Sequence, residues 1–339
     1  MKRRKPTVAI ASATVTAIVW AKILLQAVTE VPLAVDALFL LPTLFSRQNV
    51  LAANTRRRMT ASSSSNHDNW SSHNNNNNDG LVQNQSQRTV STATSFPLPT
   101  SLEAIIFDID GTLADSWKLG YDATLVVLQN HSIPLISPET YHEGTKYSTP
   151  HRLARHAGLD PNNDDDTFVR IGTQLAQEFD DLYVGLVTTE TAGFFSGMEQ
   201  VLERILQHPE GIKLGALTNA CVDYAHAVLK ANSNTQSSPS SLLSLLSLHS
   251  QFLSIHGADT VPSPKPDPDG LLLVCKELGV KPEHAVYIGD SPSDASAALN
   301  AGMASIGVTW GSHSTESLQQ ATFTVLCSTP KELCTILKL

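Results

Sequence analysis

Two aspartates, Asp108 and Asp110, stand directly after a run of four apolar residues, Ala104–Phe107. Two more apolar runs end the same way. Lys213–Leu217 precedes Thr218-Asn219, and Ala285–Ile288 precedes Gly289-Asp290. In an open parallel sheet the carboxyl ends of the strands line one edge, and ligands bind there. Three polar clusters at strand ends therefore predict one shared crevice. Gathering Asp108, Asp110 and Asp290 in it is electrostatically costly without a cation. Lys265, framed as Pro-Lys-Pro-Asp-Pro, cannot balance three carboxylates alone. Short carboxylates with backbone carbonyls nearby suit a hard, oxygen-seeking ion, and magnesium fits best.

The elements that must position these residues form an alternating pattern. Beyond the three runs above, Phe252–Ala258, Ala304–Trp310 and Ala321–Cys327 are strand-like, while Val222–Lys230, Asp267–Leu278 and Pro292–Ala301 are amphipathic at helical spacing. Strands alternating with helices predict an α/β fold, a Rossmann-like parallel sheet covered on both faces. Residues 117–190 break the alternation. They hold helical patterns at Tyr121–Gln129, Thr149–His156 and Thr167–Leu186 and no convincing strand, which predicts a small helical domain inserted after the first strand. The catalytic core is then 101–116 and 191–339. Residues 232–250, where Ser and Leu alternate after a Ser/Asn stretch, read as a surface-loop insertion.

The first hundred residues differ in kind. They carry ten Lys/Arg and four Asp/Glu, a net of +6, whereas residues 101–339 carry thirteen and twenty-eight, a net of −15. A basic start, Lys2-Arg3-Arg4-Lys5, leads into an uncharged stretch, Pro6 to Ala21, which Lys22 interrupts before the ~20 residues a spanning helix needs. Arg56-Arg57-Arg58 and Ser62–Ser65 follow, with no acid between Asp36 and Asp68. Arg- and Ser-rich, acid-poor sequence is what organelle transit peptides look like. Residues 1–58 are read as a targeting segment, signal- or transit-like, removed on import into an organelle, with a plastid as first choice. A signal anchor in a membrane, with Lys22 snorkelling to the interface, is the alternative. The mature domain is not expected to hold a membrane. Residues 59–100, which include Asn74–Asn78, read as a disordered linker with too few apolar groups to fold. The acidic main body argues against nucleic acid as a partner. Cys221, Cys275, Cys327 and Cys334 form no C-x-x-C pair, so buried thiols are expected in place of zinc or disulfides.

The ten residues from Phe107 to Ser116, Phe-Asp-Ile-Asp-Gly-Thr-Leu-Ala-Asp-Ser, resemble the first motif of the haloacid dehalogenase superfamily. Leu217-Thr218-Asn219 resembles the second, Lys265-Pro266-Asp267-Pro268 the third, and Gly289-Asp290-Ser291-Pro292-Ser293-Asp294 the fourth. A lone Thr-Asn or Lys-Pro carries almost no signal, but the ordered set does. The resemblance covers about residues 102–327 and places the helical insertion where this superfamily's cap falls in the branch of phosphoglycolate phosphatases and β-phosphoglucomutases. It implies a magnesium-dependent phosphatase of small phosphorylated metabolites. Asp108 would be the nucleophile that forms an aspartyl-phosphate. Asp110 would protonate the leaving oxygen and then activate water. Asp108, the Asp110 carbonyl and Asp290 would hold Mg2+. Thr218 and the backbone around Asn219 would bind the phosphoryl oxygens, Gly111 would allow close backbone approach, and Lys265 would steady the growing charge.

Several residues admit two roles. Asp115 and Ser116 serve either as a helix cap or as a hinge, and Asp294 either caps a helix or orients Lys265 or a metal-bound water. Asp164-Asp165-Asp166 reads as a solvated helix start. In the insertion, Lys146, Arg152 and Arg155 are the candidates to face the crevice and read the substrate. Asp110 tells against a dehalogenase, which needs no acid/base there. A β-phosphoglucomutase-like mutase shares the motifs and stays open as an alternative. A tethered, inactive binding protein would be expected to lack Asp108 or Asp110, and both are present.

Overall fold

The computed structural model describes residues 95–234 and 247–339. The targeting segment, nearly all of the linker and the centre of the 232–250 insertion lie outside the described residues. Strand β1 (Ala104–Phe107) is buried at every position, as a strand covered on both faces must be. It pairs in parallel with β2 (Lys213–Leu217) on one side and β4 (Ala285–Gly289) on the other. With β3 (Phe252–His256), β5 (Ala304–Val308) and β6 (Val325–Cys327), the sheet is six-stranded and all parallel, in the order β3-β2-β1-β4-β5-β6. The chain builds outward from β1 through β2 to β3, then returns to the far side of β1 for β4. The strand order therefore reverses between β1 and β4, where an open sheet leaves a crevice at its carboxyl edge.

After β1, residues 117–190 hold four helices: α1 (Trp117–Asn130), α2 (Pro138–Gly144), α3 (Thr149–His156) and α4 (Asp165–Gly185). Helix α4 follows its sequence directly. Asp164 caps it by accepting from Thr167 N at 3.0 Å, and Asp165 and Asp166 fill the first turn, where the helix dipole favours acids. Its buried positions Phe168, Gly172, Leu175, Ala176, Phe179 and Tyr183 recur every three or four residues. Helix α2 was not expected, although Ser137 as cap and Pro138 at the first position mark its start. The two chain crossings into the insertion are paired. Asp115 N donates to Gly193 O and Phe195 N to Leu113 O, both at 2.9 Å, around an antiparallel bridge between Ala114 and Phe194. Asn232 ties the returning strand to the core, accepting from Phe194 N at 3.0 Å.

Helices α5 (Met198–Leu206), α6 (Val222–Ala231), α7 (Asp269–Leu278), α8 (Pro292–Ala301), α9 (Thr315–Gln320) and α10 (Pro330–Leu337) complete the fold. Alternation along β1 sorts its two faces: Ala104 and Ile106 pack with Leu271, Val274 and Leu278 of α7 and Ala297, Ala298 and Ala301 of α8. Each large side chain buried this way contributes roughly 1.5–3 kcal/mol. Strand β5 ends two residues before the expected Trp310. The chain turns there because Trp310 Nε1 donates to Thr112 O at 3.1 Å, drawing the segment over the β1 loop. The four cysteines are free and buried. Among the described residues no helix is long and apolar enough to cross a membrane.

Candidate active site

The loops at the carboxyl edge of β1, β2 and β4, with the loop after β3, meet in one cavity of about 110 Å3. Asp108, Asp110 and Gly111 come from the first loop, Thr218 and Asn219 from the second, Lys265 from the third, and Asp290 from the fourth. Gly111 has φ +75, and a side chain there would run into the Asp290 carboxylate. Both facts require glycine.

Lys265 is the hub. Its ammonium donates to Asp108 Oδ1 and Asp294 Oδ1, both at 2.7 Å, and to Tyr287 OH at 2.9 Å, with Leu217 O at 3.4 Å. Its three protons are thereby placed. Burial works to lower its pKa, but Asp108 and Asp294 outweigh that and raise it. The same cluster acts on Asp108 in the opposite sense. Burial raises its pKa well above the usual carboxylate range, Lys265 lowers it, and Asp294, Asp290 and Asp110 raise it again. The site is thus short of positive charge. Asn219 holds the hub in place with a two-point clasp on the Lys265 backbone: Nδ2 donates to Lys265 O and Oδ1 accepts from Lys265 N, each at 3.0 Å. The clasp uses the side-chain oxygen and one of the two Nδ2 protons.

Asp294 fills both roles expected of it. Oδ1 receives Lys265, while Oδ2 accepts from Ser291 N at 2.9 Å in a capping box that starts α8. Ser116 behaves differently. It sits at the cap position of α1 yet makes no cap bond, and its hydroxyl donates to Asp110 Oδ1 instead.

Asp108, Asp290 and Asp294 each bring one carboxylate oxygen within 4.8 Å of the others. With Asp294 taken up by Lys265 and Ser291, the oxygens left for a cation are those of Asp108 and Asp290. Asp108 Oδ1 is held by Lys265, and Asp290 Oδ2 accepts from Ser312 N at 2.7 Å and Ser312 Oγ at 2.9 Å. Each carboxylate keeps its second oxygen. A donor set of oxygens alone, in a pocket short of positive charge, fits a hard divalent cation.

Residues 105–308 match the family model for haloacid dehalogenase-like hydrolases. The chain belongs to the haloacid dehalogenase-like hydrolase family. It is 27% identical over 224 residues to a phosphoglycolate phosphatase of Shigella dysenteriae, spanning 62% of this chain and 82% of that one. The phosphoglycolate phosphatase of Escherichia coli K12 is 26% identical over 223 residues, with the same coverage. Among solved structures, CbbY from Rhodobacter sphaeroides in complex with phosphate superposes with a TM-score of 0.55 at 25% identity, over 68% of this chain and 96% of that one. A hydrolase from Pseudomonas syringae shares the fold at 0.55 and 23%, over 70% and 98%. Family and relatives agree on the enzyme class that the first motif implied, a phosphoric monoester hydrolase.

In this family member the insertion supplies the cavity's roof: Tyr141, Thr145, Tyr147, Arg152, Phe179 and Tyr183 line it. Of the three cations expected to read substrate, only Arg152 reaches it. Arg152 is 6% exposed, donates to Thr124 Oγ1 at 3.0 Å and lies between the rings of Tyr141 and Phe179, at 5.0 and 4.7 Å. No carboxylate forms an ion pair with it among the described residues. Lys146 and Arg155 do not line the cavity: both are exposed and lie over the Tyr147 ring, at 5.2 and 4.4 Å. His156 stacks on Tyr141, and burial with the Arg152 charge pushes its pKa down to about 4, so it is neutral beside that cation.

Tyr183 and Tyr224 were not among the expected site residues. Both donate to Asp110 Oδ1, at 3.0 and 2.6 Å, and their rings stack at 4.0 Å. Burial pushes both phenols well above their usual range, so they remain protonated donors. Thr218 Oγ1 meets the other Asp110 oxygen at 3.3 Å. A tyrosine inside an amphipathic helix reads as core, and no local spacing separates one that reaches a carboxylate.

Proposed function

We propose that this chain is a magnesium-dependent phosphatase that cleaves small phosphate monoesters through an aspartyl-phosphate on Asp108. One observation carries the proposal. Two aspartates from one loop are held by different partners: Asp108 by the ammonium of Lys265 within the acidic cluster, Asp110 by hydroxyls alone. That division suits a nucleophile beside an acid/base.

Asp108 attacks phosphorus with one carboxylate oxygen, and the ester P–O bond breaks as Asp110 gives its proton to the departing oxygen. Water then attacks the same phosphorus, losing a proton to Asp110, and the bond to Asp108 breaks to release inorganic phosphate. Lys265 and Thr218, with the backbone around Asn219, offset charge on the phosphoryl oxygens. Asp108, the Asp110 carbonyl and Asp290 would hold Mg2+, which screens nucleophile and phosphoryl group from mutual repulsion.

The buried Arg152, which lines the same cavity as Asp108 and forms no ion pair among the described residues, supports a substrate with a second anionic group, since a charge removed from water needs a partner. The small cavity favours a short one. Together with relatives named phosphoglycolate phosphatase, this makes phosphoglycolate the first compound to try. Of the insertion's cations Lys118, Lys146, Arg152, Arg155 and Arg170, only Arg152 lines the cavity. One anion site supports hydrolysis over a mutase, which must seat a bisphosphate in two orientations. The test is phosphate release from phosphoglycolate with magnesium by the parent and by Asp108→Asn. A drop of about a thousandfold or more is expected where the nucleophile is lost. Near-parental turnover by the variant would overturn the mechanism.

A further inference from the structure

Asp110 Oδ1 accepts three hydroxyls, from Ser116, Tyr183 and Tyr224, while among the described residues Oδ2 meets only Thr218, at 3.3 Å. A carboxylate oxygen has about two lone-pair directions in its plane. Oδ1 is therefore saturated, and a proton could be placed on it only by displacing a donor. Oδ2 is the oxygen that can carry one. The two phenols also come from different parts of the molecule: Tyr224 lies on core helix α6, and Tyr183 lies two residues from the end of α4 in the insertion. Their stacked rings, 15° from parallel, fix both hydroxyls on the same oxygen.

We propose that Tyr183 and Tyr224 are positioning residues for Asp110: they lock Oδ1 and so dedicate Oδ2 to proton transfer, an arrangement complete only when the insertion is seated on the core. The proposal rests on the phosphatase mechanism above. In its first half, Oδ2–H passes its proton to the ester oxygen, which takes both electrons of the breaking P–O bond. The resulting carboxylate keeps its three hydroxyl donors on Oδ1 and does not rotate. In the second half, Oδ2 takes one proton from the attacking water, returning Asp110 to its starting state. Without the phenols the carboxyl can turn about its Cβ–Cγ bond, and its proton points away from the reacting centre for part of the time.

A merely structural aromatic stack would make a different prediction, and leaving-group chemistry separates the two. Departure of an alkyl oxygen needs a proton, whereas departure of p-nitrophenolate does not. The full chain, Tyr183→Phe, Tyr224→Phe, the double variant and Asp110→Asn are compared by kcat/KM on phosphoglycolate, or the best alkyl phosphate found, and on p-nitrophenyl phosphate. Phenylalanine keeps the ring stack and removes only the hydroxyl. Each single variant is expected to lose about tenfold on the alkyl ester against about twofold or less on the aryl ester, part of the roughly 100- to 10,000-fold that an acid/base group supplies. The double variant should approach Asp110→Asn. Equal losses on both esters would make the tyrosines structural and overturn the proposal, as would variants with undiminished alkyl activity. Asp110→Asn lacking any leaving-group dependence would instead sink the acid/base assignment beneath it. Thermal melts of each variant identify a loss that comes from unfolding alone, which also counts against the proposal.

Discussion

Lys265→Met removes the only ammonium that touches the acidic cluster among the described residues while keeping the volume of the side chain. The side chains of Lys265, Asp108 and Asp294 are 3%, 8% and 0% exposed, so solvent does little to screen what remains. Breaking a buried ion pair from one side typically costs about 3–5 kcal/mol, because the other charge stays buried without a partner. For a body of this size that corresponds to a melting point lower by about 6–20 °C. The loss should depend on pH. Asp108 already has a raised pKa in the folded chain, by burial first, with Lys265 as the influence that lowers it. Deleting Lys265 raises it further. A carboxyl with a higher pKa folded than unfolded binds more protons in the native state, so its contribution falls as pH climbs above the unfolded value of 3.8. The deficit of the variant should therefore be largest near pH 8 and shrink toward pH 5. Urea titrations with a chelator at both pH values measure it. Adding millimolar magnesium should recover part of the deficit by supplying the missing positive charge. A variant as stable as the parent at pH 8, or a deficit indifferent to both pH and magnesium, would refute the view that Lys265 is the cluster's countercharge.

Arg152→Leu should raise KM for phosphoglycolate by about 10- to 100-fold, the worth of a hydrogen bond to a charged group, with a smaller effect on a phosphate ester that lacks a second anion; steady-state kinetics on the two esters checks this. Asp180 has a pKa raised to about 6, by burial foremost, and its Oδ1 has no hydrogen-bond partner among the described residues. Its folded value is above the unfolded 3.8, so stability is lost as pH rises from about 4 to 6. Asp180→Asn should stabilise the chain at pH 7 by about 1–3 kcal/mol, the lower figure allowing for solvent at a partly exposed carboxyl, and have little effect at pH 4, as read from urea midpoints. For the N-terminus, mass spectrometry of the native protein is expected to find a mature start between about residues 40 and 100, where targeting sequence gives way to the fold; an intact Met1 in a membrane fraction would favour the anchor.

The parts of this site that the sequence revealed are those whose position follows from one strand end. Asp108, Thr218 and Asp290 each sit within a residue or two of an apolar run, and a parallel sheet carries those ends to one edge without further information. Lys265 was legible through its motif, but its partners were not: Asn219, 46 residues away, holds its backbone, and Asp294, 29 residues away, shares its ammonium. The two readings of Asp294 turned out to be compatible because a carboxylate has two oxygens and the structure assigns one to each.

What stayed hidden lies where the insertion meets the core. Arg152 and Arg155 share helix α3, three residues apart, and nothing in their local sequence says which faces in. The insertion's packing decides it, and only Arg152 has a pair of buried rings, Tyr141 and Phe179, to lie between. Tyr183 and Tyr224 reach Asp110 across 73 and 114 residues, from helices whose apolar spacing accounts for both tyrosines as core. On the proposed mechanism, the chemistry near the sheet would rest on residues at the strand ends and on Lys265, while selectivity and the setting of the acid/base would come from long side chains projected across the interface. Substitutions in the first group should abolish turnover on every ester. Those in the second should change which esters are cleaved and how much the leaving group matters, because they act on substrate and proton geometry and leave the nucleophile in place.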